Sequence, residues 1–261
     1  MSMSKQWAII LGCSTGHGAA TALALAKEGY GIIGFHLDRG PIKKEAETLK
    51  KEIQKINGGH AHFWNENAAD KEIMSKHIEE IASITKNQSI KLLMHSIAFG
   101  STTNFFEPTP VRQRQMDMTQ HVMAHSLIYW TQILLEHNLL SKGSRILGLT
   151  SEGSYKAMEG YGPVGVAKAS LEAVVRQIGW ELGSQGITAN TIQAGITPTR
   201  ALTKISDNWE EWVEKTVERN PMGRTTTPED VAGLVSLLLS DKADFVNCST
   251  IFCDGGEHRS L

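Results

Sequence analysis

Seven short apolar runs recur along this chain, and a longer amphipathic segment separates nearly every pair of them. WAIIL (7–11), GIIGFH (31–36), HAHFW (60–64), KLLMH (91–95), SRILGLT (144–150), ITANTI (187–192) and STIFC (249–253) read as strands. Most are apolar throughout rather than alternating, the pattern of strands covered on both faces. Between them, PIKKEAETLKKEIQKING (41–58) places Ile42, Ala46, Leu49, Ile53 and Ile56 on one helical face, opens at Pro41 and stops at Gly58. TPEDVAGLVSLLL (227–239) offers Thr227 as cap, Pro228 at the first helical position, and Glu229 and Asp230 against the positive end of the dipole. Short strand–helix–strand connections require parallel neighbours joined by crossovers. The fold predicted is α/β: a Rossmann-type doubly wound parallel sheet of about seven strands with helices on both faces, three-layer αβα. No repeat, low-complexity tract or linker interrupts residues 1–261, which read as one domain.

A formal net charge of −2 supplies no basic field for nucleic acid. Cys13, Cys248 and Cys253 are odd in number and lack metal-ligand spacing, which fits a reducing cytoplasm. The start, MSMSKQWAIILG, has one lysine and an apolar run too short for a secretory signal. No stretch approaches the ~20 apolar residues that span a bilayer. A cytoplasmic protein with no nucleic-acid or membrane partner is expected.

The turn after the first strand carries the most chemistry. LGCSTGHGAATALALAKEG (11–29) sets Gly12, Gly16 and Gly18 between strand and helix, with Ser14, Thr15 and His17 among them. Glycines let a pyrophosphate approach the backbone, and the helix N-terminus behind them offers unpaired N–H groups and a positive dipole end. A dinucleotide-binding domain is the expectation. The same letters satisfy G-x-S-x-G, the nucleophile elbow of α/β-hydrolases, with Ser14 as nucleophile. Against that reading, too few strands precede the loop to build a hydrolase site, and Gly18 has no job in it.

The end of the second strand, FHLDRG (35–40), sets NAD against NADP: an acid there binds the ribose 2′-OH, and a base accepts a 2′-phosphate. His36, Asp38 and Arg39 supply both, so NADP and NAD stay open as the cofactor. Glu66 and Asn67, after the third strand, are placed either to flank the adenine or to cap their loop. Lys43 and Lys44 read as solvated helix-face charges.

The glycine loop, HSIAFG (95–100), TSEGSYKAMEGYGPVGVAKASLEA (150–173), QAGITPT (193–199) and DGG (254–256) together carry a family resemblance. Over nearly its whole length the chain resembles the short-chain dehydrogenase/reductase family, and within it most resembles the enoyl-acyl-carrier-protein reductases. Where the wider family has Asn-Asn-Ala-Gly after the fourth strand, His95-Ser96-Ile97-Ala98 is similar to the H-S-I-G of enoyl reductases. The usual Y-x-x-x-K is replaced by Tyr161 and Lys168 with six residues between, again the enoyl-reductase spacing. The glycine loop keeps the mainstream form that the commonest bacterial enoyl reductases stretch. A less common branch combines that loop with the six-residue spacing and a V-G-V-x-K-A segment. The relay asparagine of the wider family has no counterpart in MDMTQHVMAHSLIYWTQILL (116–135).

The resemblance implies NAD(P)H-dependent reduction of the carbon–carbon double bond of an enoyl thioester in fatty acid synthesis, the acyl group carried by acyl carrier protein or coenzyme A. With Gly162 as cap and Pro163 in the first turn, Tyr161 precedes its helix while Lys168 lies inside it. Hydride delivered to the β-carbon gathers charge on the thioester oxygen, so the hydroxyl donor belongs further from the nicotinamide than in a carbonyl reductase. Tyr161 is then the catalytic donor, with Ser151 as a secondary catalytic residue. Lys168 binds the nicotinamide ribose and lowers the tyrosine pKa. The resemblance also sets Ser96, Ile97 and Ala98 along the cofactor ribose, Gly195 at a close turn, and Thr197 and Thr199 on carboxamide and phosphate.

RALTKISDNWEEWVEKTVERNPMGR (200–224) carries Ala201, Leu202 and Ile205 at one edge and Trp209, Trp212 and Val213 at another. It reads as a helical lid over an acyl chain, or as a surface helix with buried tryptophans. His60 with His62, and His121 with His125, are paired by spacing, yet no H-E-x-x-H accompanies them and no metal is expected. Met116, Met123, Leu127, Ile128, Trp130 and Leu134 make the 110–138 segment apolar on more than one side, which points to a subunit interface. The resemblance implies a homotetramer (or homodimer) through this helix and the one carrying Lys168. Two other functions stay open: a carbonyl or hydroxyl oxidoreductase such as a 3-oxoacyl reductase, and a dinucleotide-sensing protein without turnover.

Overall fold

The computed structural model describes residues 6–205 and 208–260. The apolar runs form β1 (Trp7–Leu11), β2 (Gly31–His36), β3 (Ala61–Asn65), β4 (Ile90–His95), β5 (Arg145–Thr150), β6 (Thr188–Ala194) and β7 (Thr250–Cys253). All pairings are parallel, in the order β3-β2-β1-β4-β5-β6-β7. β1, β2 and β5 are buried at every residue, which is why their sequences do not alternate.

The helices are α1 (Gly16–Lys27), α2 (Pro41–Asn57), α3 (Lys71–Thr85), α4 (Gln113–Gln120), α5 (Ser126–Glu136), α6 (Gly162–Leu182), α7 (Leu202–Ile205), α8 (Trp209–Arg219) and α9 (Pro228–Leu239). On one face α1, α2 and α9 pack Leu25, Ile53 and Val235 against Ile10 and Ile32. On the other, α3, α5 and α6 pack Ile81, Trp130 and Val175 against Ile9 and Leu93. The strand order reverses between β1 and β4, and the loops leaving the carboxyl ends of the strands open a crevice there.

Local chemistry sets the helix ends. Thr227 Oγ1 accepts the Asp230 N–H while Asp230 Oδ2 accepts the Thr227 N–H, a reciprocal box that starts α9. Gly58 closes α2 in the left-handed region at φ 74°. Its predicted face needs one correction: Ile56 is 39% exposed, and Asn57 is buried in its stead. The Asn57 amide donates to the carbonyls of Tyr30 and His60, so a polar side chain ties α2 to β2 and β3.

The 110–138 segment departs further. A π turn at His121–His125 separates α4 from α5. The Val122 carbonyl inside it accepts from Ser126 Oγ at 2.9 Å and from His95 Nε2 at 3.2 Å, which occupies a backbone acceptor at the widened turn. Met123, Leu127, Trp130 and Leu134 are core residues of this chain rather than an interface surface. The Trp130 indole donates to the Ala68 carbonyl.

Candidate active site

The crevice is a cleft of about 450 Å³, lined by the loops that follow β1 through β6. At its floor, a Cβ on Gly18 would stand 1.9 Å from the Gly12 carbonyl oxygen, so only glycine lets α1 start this close to β1. Gly18 therefore acts by packing and does not itself line the cleft, whereas Gly12, Ser14, Thr15, Gly16 and His17 do. Thr15, at the N-cap of α1, places no side-chain cap on its first N–H groups. His17 Nδ1 is buried without a partner among the described residues, and burial, then the Lys168 charge, lower its pKa to about 4. Close-approach glycines, uncapped helix N–H groups and a neutral buried imidazole fit a pyrophosphate, as the dinucleotide reading requires.

At the adenosine end, His36 Nδ1 meets Asp38 Oδ2 at 2.8 Å. The Asp38 backbone is pinned on both sides by the Asn65 amide, at 2.7 and 3.0 Å. Burial lowers the His36 pKa, against the pull of Asp38. His36 and Asp38 line the cleft, and Arg39 beside them is exposed and outside the lining. Glu66 and Asn67 line the cleft and also hold their loop. Asn67 Oδ1 accepts the Ala69 N–H, and Glu66 pairs with Lys76 and His77, bonds that lower its pKa. Lys43 and Lys44 are exposed on α2.

Opposite, Ser96, Ile97 and Ala98 line the cleft beyond β4, and the Ser96 N–H donates to the Leu11 carbonyl. Gly195, Thr197 and Thr199 follow β6. Thr197 Oγ1 donates to the Gly195 carbonyl. A Cβ on Gly16 would sit 3.5 Å from Thr199 Cγ2, so this loop reaches across to the glycine loop.

Tyr161, Lys168 and Ser151 meet at the centre. Tyr161 itself is the cap of α6 and the helix opens at Gly162, one residue earlier than the Gly162 cap predicted. The tyrosine therefore stands off the helix, its hydroxyl 3.1 Å from Ser151 Oγ. Its ring lies on Gly153, where a Cβ would come within 2.3 Å of it. Val164, four residues before Lys168, is buried beside Tyr161, Met123 and Ala167. Lys168 is 6% exposed and donates to the Leu149 carbonyl at 2.6 Å. Burial lowers its pKa to about 8, against the carboxylate of Glu172. Tyr161 runs contrary to expectation: burial raises its pKa, and the countering influence is the Ser151 hydrogen bond rather than Lys168.

Ala201 and, on α7 and α8, Leu202, Ile205 and Trp212 border the cleft. Trp209, Trp212 and Val213 are half-buried, and Ser206 and Asp207 lie outside the described residues. Apolar walls that sequence reasoning missed come from Phe99, Met118, Val122 and Met158. Phe99 and Met158 sit on loops, Met118 near the end of α4 and Val122 in the π turn. Glu257, also in the lining, had only its place after the DGG run as a signal. His60 and His62 pack against Trp7, and His121 donates to the Ala69 carbonyl. Among the described residues no group of three His, Cys, Asp or Glu could hold a metal ion, and no helix is long and apolar enough to cross a membrane.

Known proteins resemble this chain over nearly its whole length. The chain is 28% identical over 261 residues to the enoyl-acyl-carrier-protein reductase (NADH) FabI of Enterococcus faecalis, spanning 99% of this chain and 95% of that one. It is 26% identical over 263 residues to the enoyl-acyl-carrier-protein reductase (NADPH) FabI of Staphylococcus aureus, spanning 99% and 98%. The Bacillus cereus enoyl-acyl carrier protein reductase, solved with NADP+ and an indole naphthyridinone, has a TM-score of 0.86 to it at 26% identity, covering 99% of each chain. Residues 12–258 match the family model described as Enoyl-(Acyl carrier protein) reductase, which takes in the glycine loop, the Tyr161–Lys168 pair and the terminal DGG alike. The chain belongs to the enoyl-(acyl carrier protein) reductase family.

Proposed function

We propose that this protein is an NADH-dependent reductase of the carbon–carbon double bond of enoyl thioesters in fatty acid synthesis. The acyl group would be carried by acyl carrier protein or coenzyme A. One observation carries the reading: the Tyr161 hydroxyl stands off α6, with Val164 filling the helical position from which a carbonyl reductase would present its tyrosine.

A dinucleotide held here would supply a hydride to the β-carbon, and a proton from solvent would complete the α-carbon. Tyr161 donates a hydrogen bond to the thioester oxygen, where the resulting charge gathers. A tyrosine whose pKa is raised keeps its O–H at neutral pH, so it acts as donor rather than anion. Ser151 orients that hydroxyl. Lys168 would hold the nicotinamide ribose, Thr197 the carboxamide, and Thr199 with the glycine loop the phosphates. Asp38, facing the cleft, repels a 2′-phosphate and favours NADH. Residues 200–224 serve as the lid that excludes water from the acyl pocket of a single dinucleotide-binding domain.

We also propose a cytoplasmic homotetramer. Tyr129 on α5 and Val166 on α6 are exposed on one face, and Leu237 and Phe245 near β7 on another.

The Ser151–Tyr161 contact favours a second reading, a carbonyl or hydroxyl oxidoreductase with Tyr161 as the acid. Nicotinamide absorbance decides between them. Oxidation of NADH by crotonyl thioester but not by acetoacetyl thioester supports enoyl reduction. The reverse result supports the carbonyl reading, and binding without oxidation leaves a dinucleotide sensor.

A further inference from the structure

Glu257 is a carboxylate only 1% exposed, and the chemistry above gives it no part. Burying such a group is costly unless both oxygens are engaged. Here Oε2 accepts the Ile196 N–H at 3.0 Å, and Oε1 accepts from an Arg219 guanidinium nitrogen at 2.9 Å. Burial raises the Glu257 pKa, while both partners pull it back. Each partner belongs to a different wall of the cleft.

Ile196 lies in the loop that follows β6, between Gly195 and Thr197. Its carbonyl accepts the Thr226 N–H, so with Glu257 both backbone polar groups of Ile196 are held. A Cβ on Gly195 would stand 2.5 Å from Glu257 Oε2, which gives that glycine a reason independent of the cofactor. Arg219 closes α8, the helix whose Trp212 faces the cleft about 10 Å away along the axis. The next residue, Asn220, donates to the Asp254 carbonyl in the same C-terminal turn.

We propose that Glu257 is a positioning residue that couples the cofactor loop to the acyl lid, holding Ile196 with one oxygen and the end of α8 with the other. The proposal rests on the enoyl-reductase reading for what the two walls contact. Coupling through one carboxylate is reciprocal: an ordered cofactor loop favours an ordered lid, and the converse.

The test uses full-length R219A, E257Q and E257A, with NADH affinity by fluorescence, kcat and KM for crotonyl thioester, and hydrogen exchange over α8. In E257Q the side-chain carbonyl keeps Ile196 while its NH2 meets the guanidinium, so E257Q and R219A lose the same arm. Both should raise the crotonyl-thioester KM about tenfold and speed exchange of α8, and should weaken NADH binding measurably but less than E257A does. Their double variant should be no worse than either alone. E257A loses both arms and should also weaken NADH about tenfold. Wild-type KM and α8 exchange in R219A and E257Q, or a lowered melting temperature as their sole effect, overturns the proposal. Wild-type NADH affinity in E257A overturns it too. Fluorescence and exchange need no turnover, so they read the coupling even if crotonyl thioester proves not to be a substrate.

Discussion

Tyr161→Phe removes one oxygen from the centre of the cleft and leaves its surroundings in place. The ring is held on Gly153 and beside Val164, contacts that phenylalanine keeps. In the resting protein the loss is one neutral hydrogen bond to Ser151 at 3.1 Å, about 1 kcal/mol of stability. In the reaction the loss is the donor to the thioester oxygen, about 3–4 kcal/mol of barrier or ~10²–10³ in rate. Cofactor affinity should change less than about twofold, because no hydrogen bond links Tyr161 to Lys168, Thr197 or the glycine loop among the described residues. The assay pairs NADH oxidation by crotonyl thioester with NADH binding by fluorescence. Equal losses in turnover and in NADH affinity, or turnover kept within about threefold, would refute the reasoning.

Asp38→Asn should narrow the preference for NADH over NADPH by about tenfold, while Arg39→Ala leaves it within about twofold; the ratio of kcat/KM values checks both. Lys168 titrates near pH 8 in the folded protein, against 10.5 for an ordinary lysine, so the unfolded chain binds the extra proton between those values. The Lys168 share of stability, read as wild type minus Lys168→Met, should therefore rise with pH from about 8 to 10.5, whereas the raised pKa values of Cys13, Cys253 and Tyr161 act in the opposite sense. NADH affinity should fall above pH 8 as the ammonium is lost. Denaturant unfolding and fluorescence titration across this range test it, and flat profiles would count against it. Gly18→Ala drives a methyl to 1.9 Å from the Gly12 carbonyl oxygen, so NADH binding should be lost before the fold is, as circular dichroism beside fluorescence would show.

Much of this is legible in the sequence. The seven strands appear within one or two residues of their apolar runs because parallel strands buried on both faces leave an unbroken apolar signature. Thr227 and Gly58 mark helix ends because capping chemistry is local. What escaped is non-local. Nothing in the spacing of α2 says that Asn57 rather than Ile56 turns inward, since the Tyr30 carbonyl that receives its amide comes from far earlier in the chain. The π turn at His121–His125 hid inside a segment apolar on several sides, and the same property made core residues look like an interface. The Tyr161–Lys168 spacing was readable. That burial raises the tyrosine's pKa, with Ser151 and not Lys168 opposing it, depends on how deep the α6 entry sits.

The most direct test is a ternary structure with NAD+ and a non-reducible enoyl-thioester analogue. The account predicts the Tyr161 hydroxyl at about 2.5–3.0 Å from the thioester oxygen, with the β-carbon facing the nicotinamide. A tyrosine still turned to Ser151 with no ligand atom in reach, or hydrogen-bonded at the carbon that takes the hydride, would contradict it.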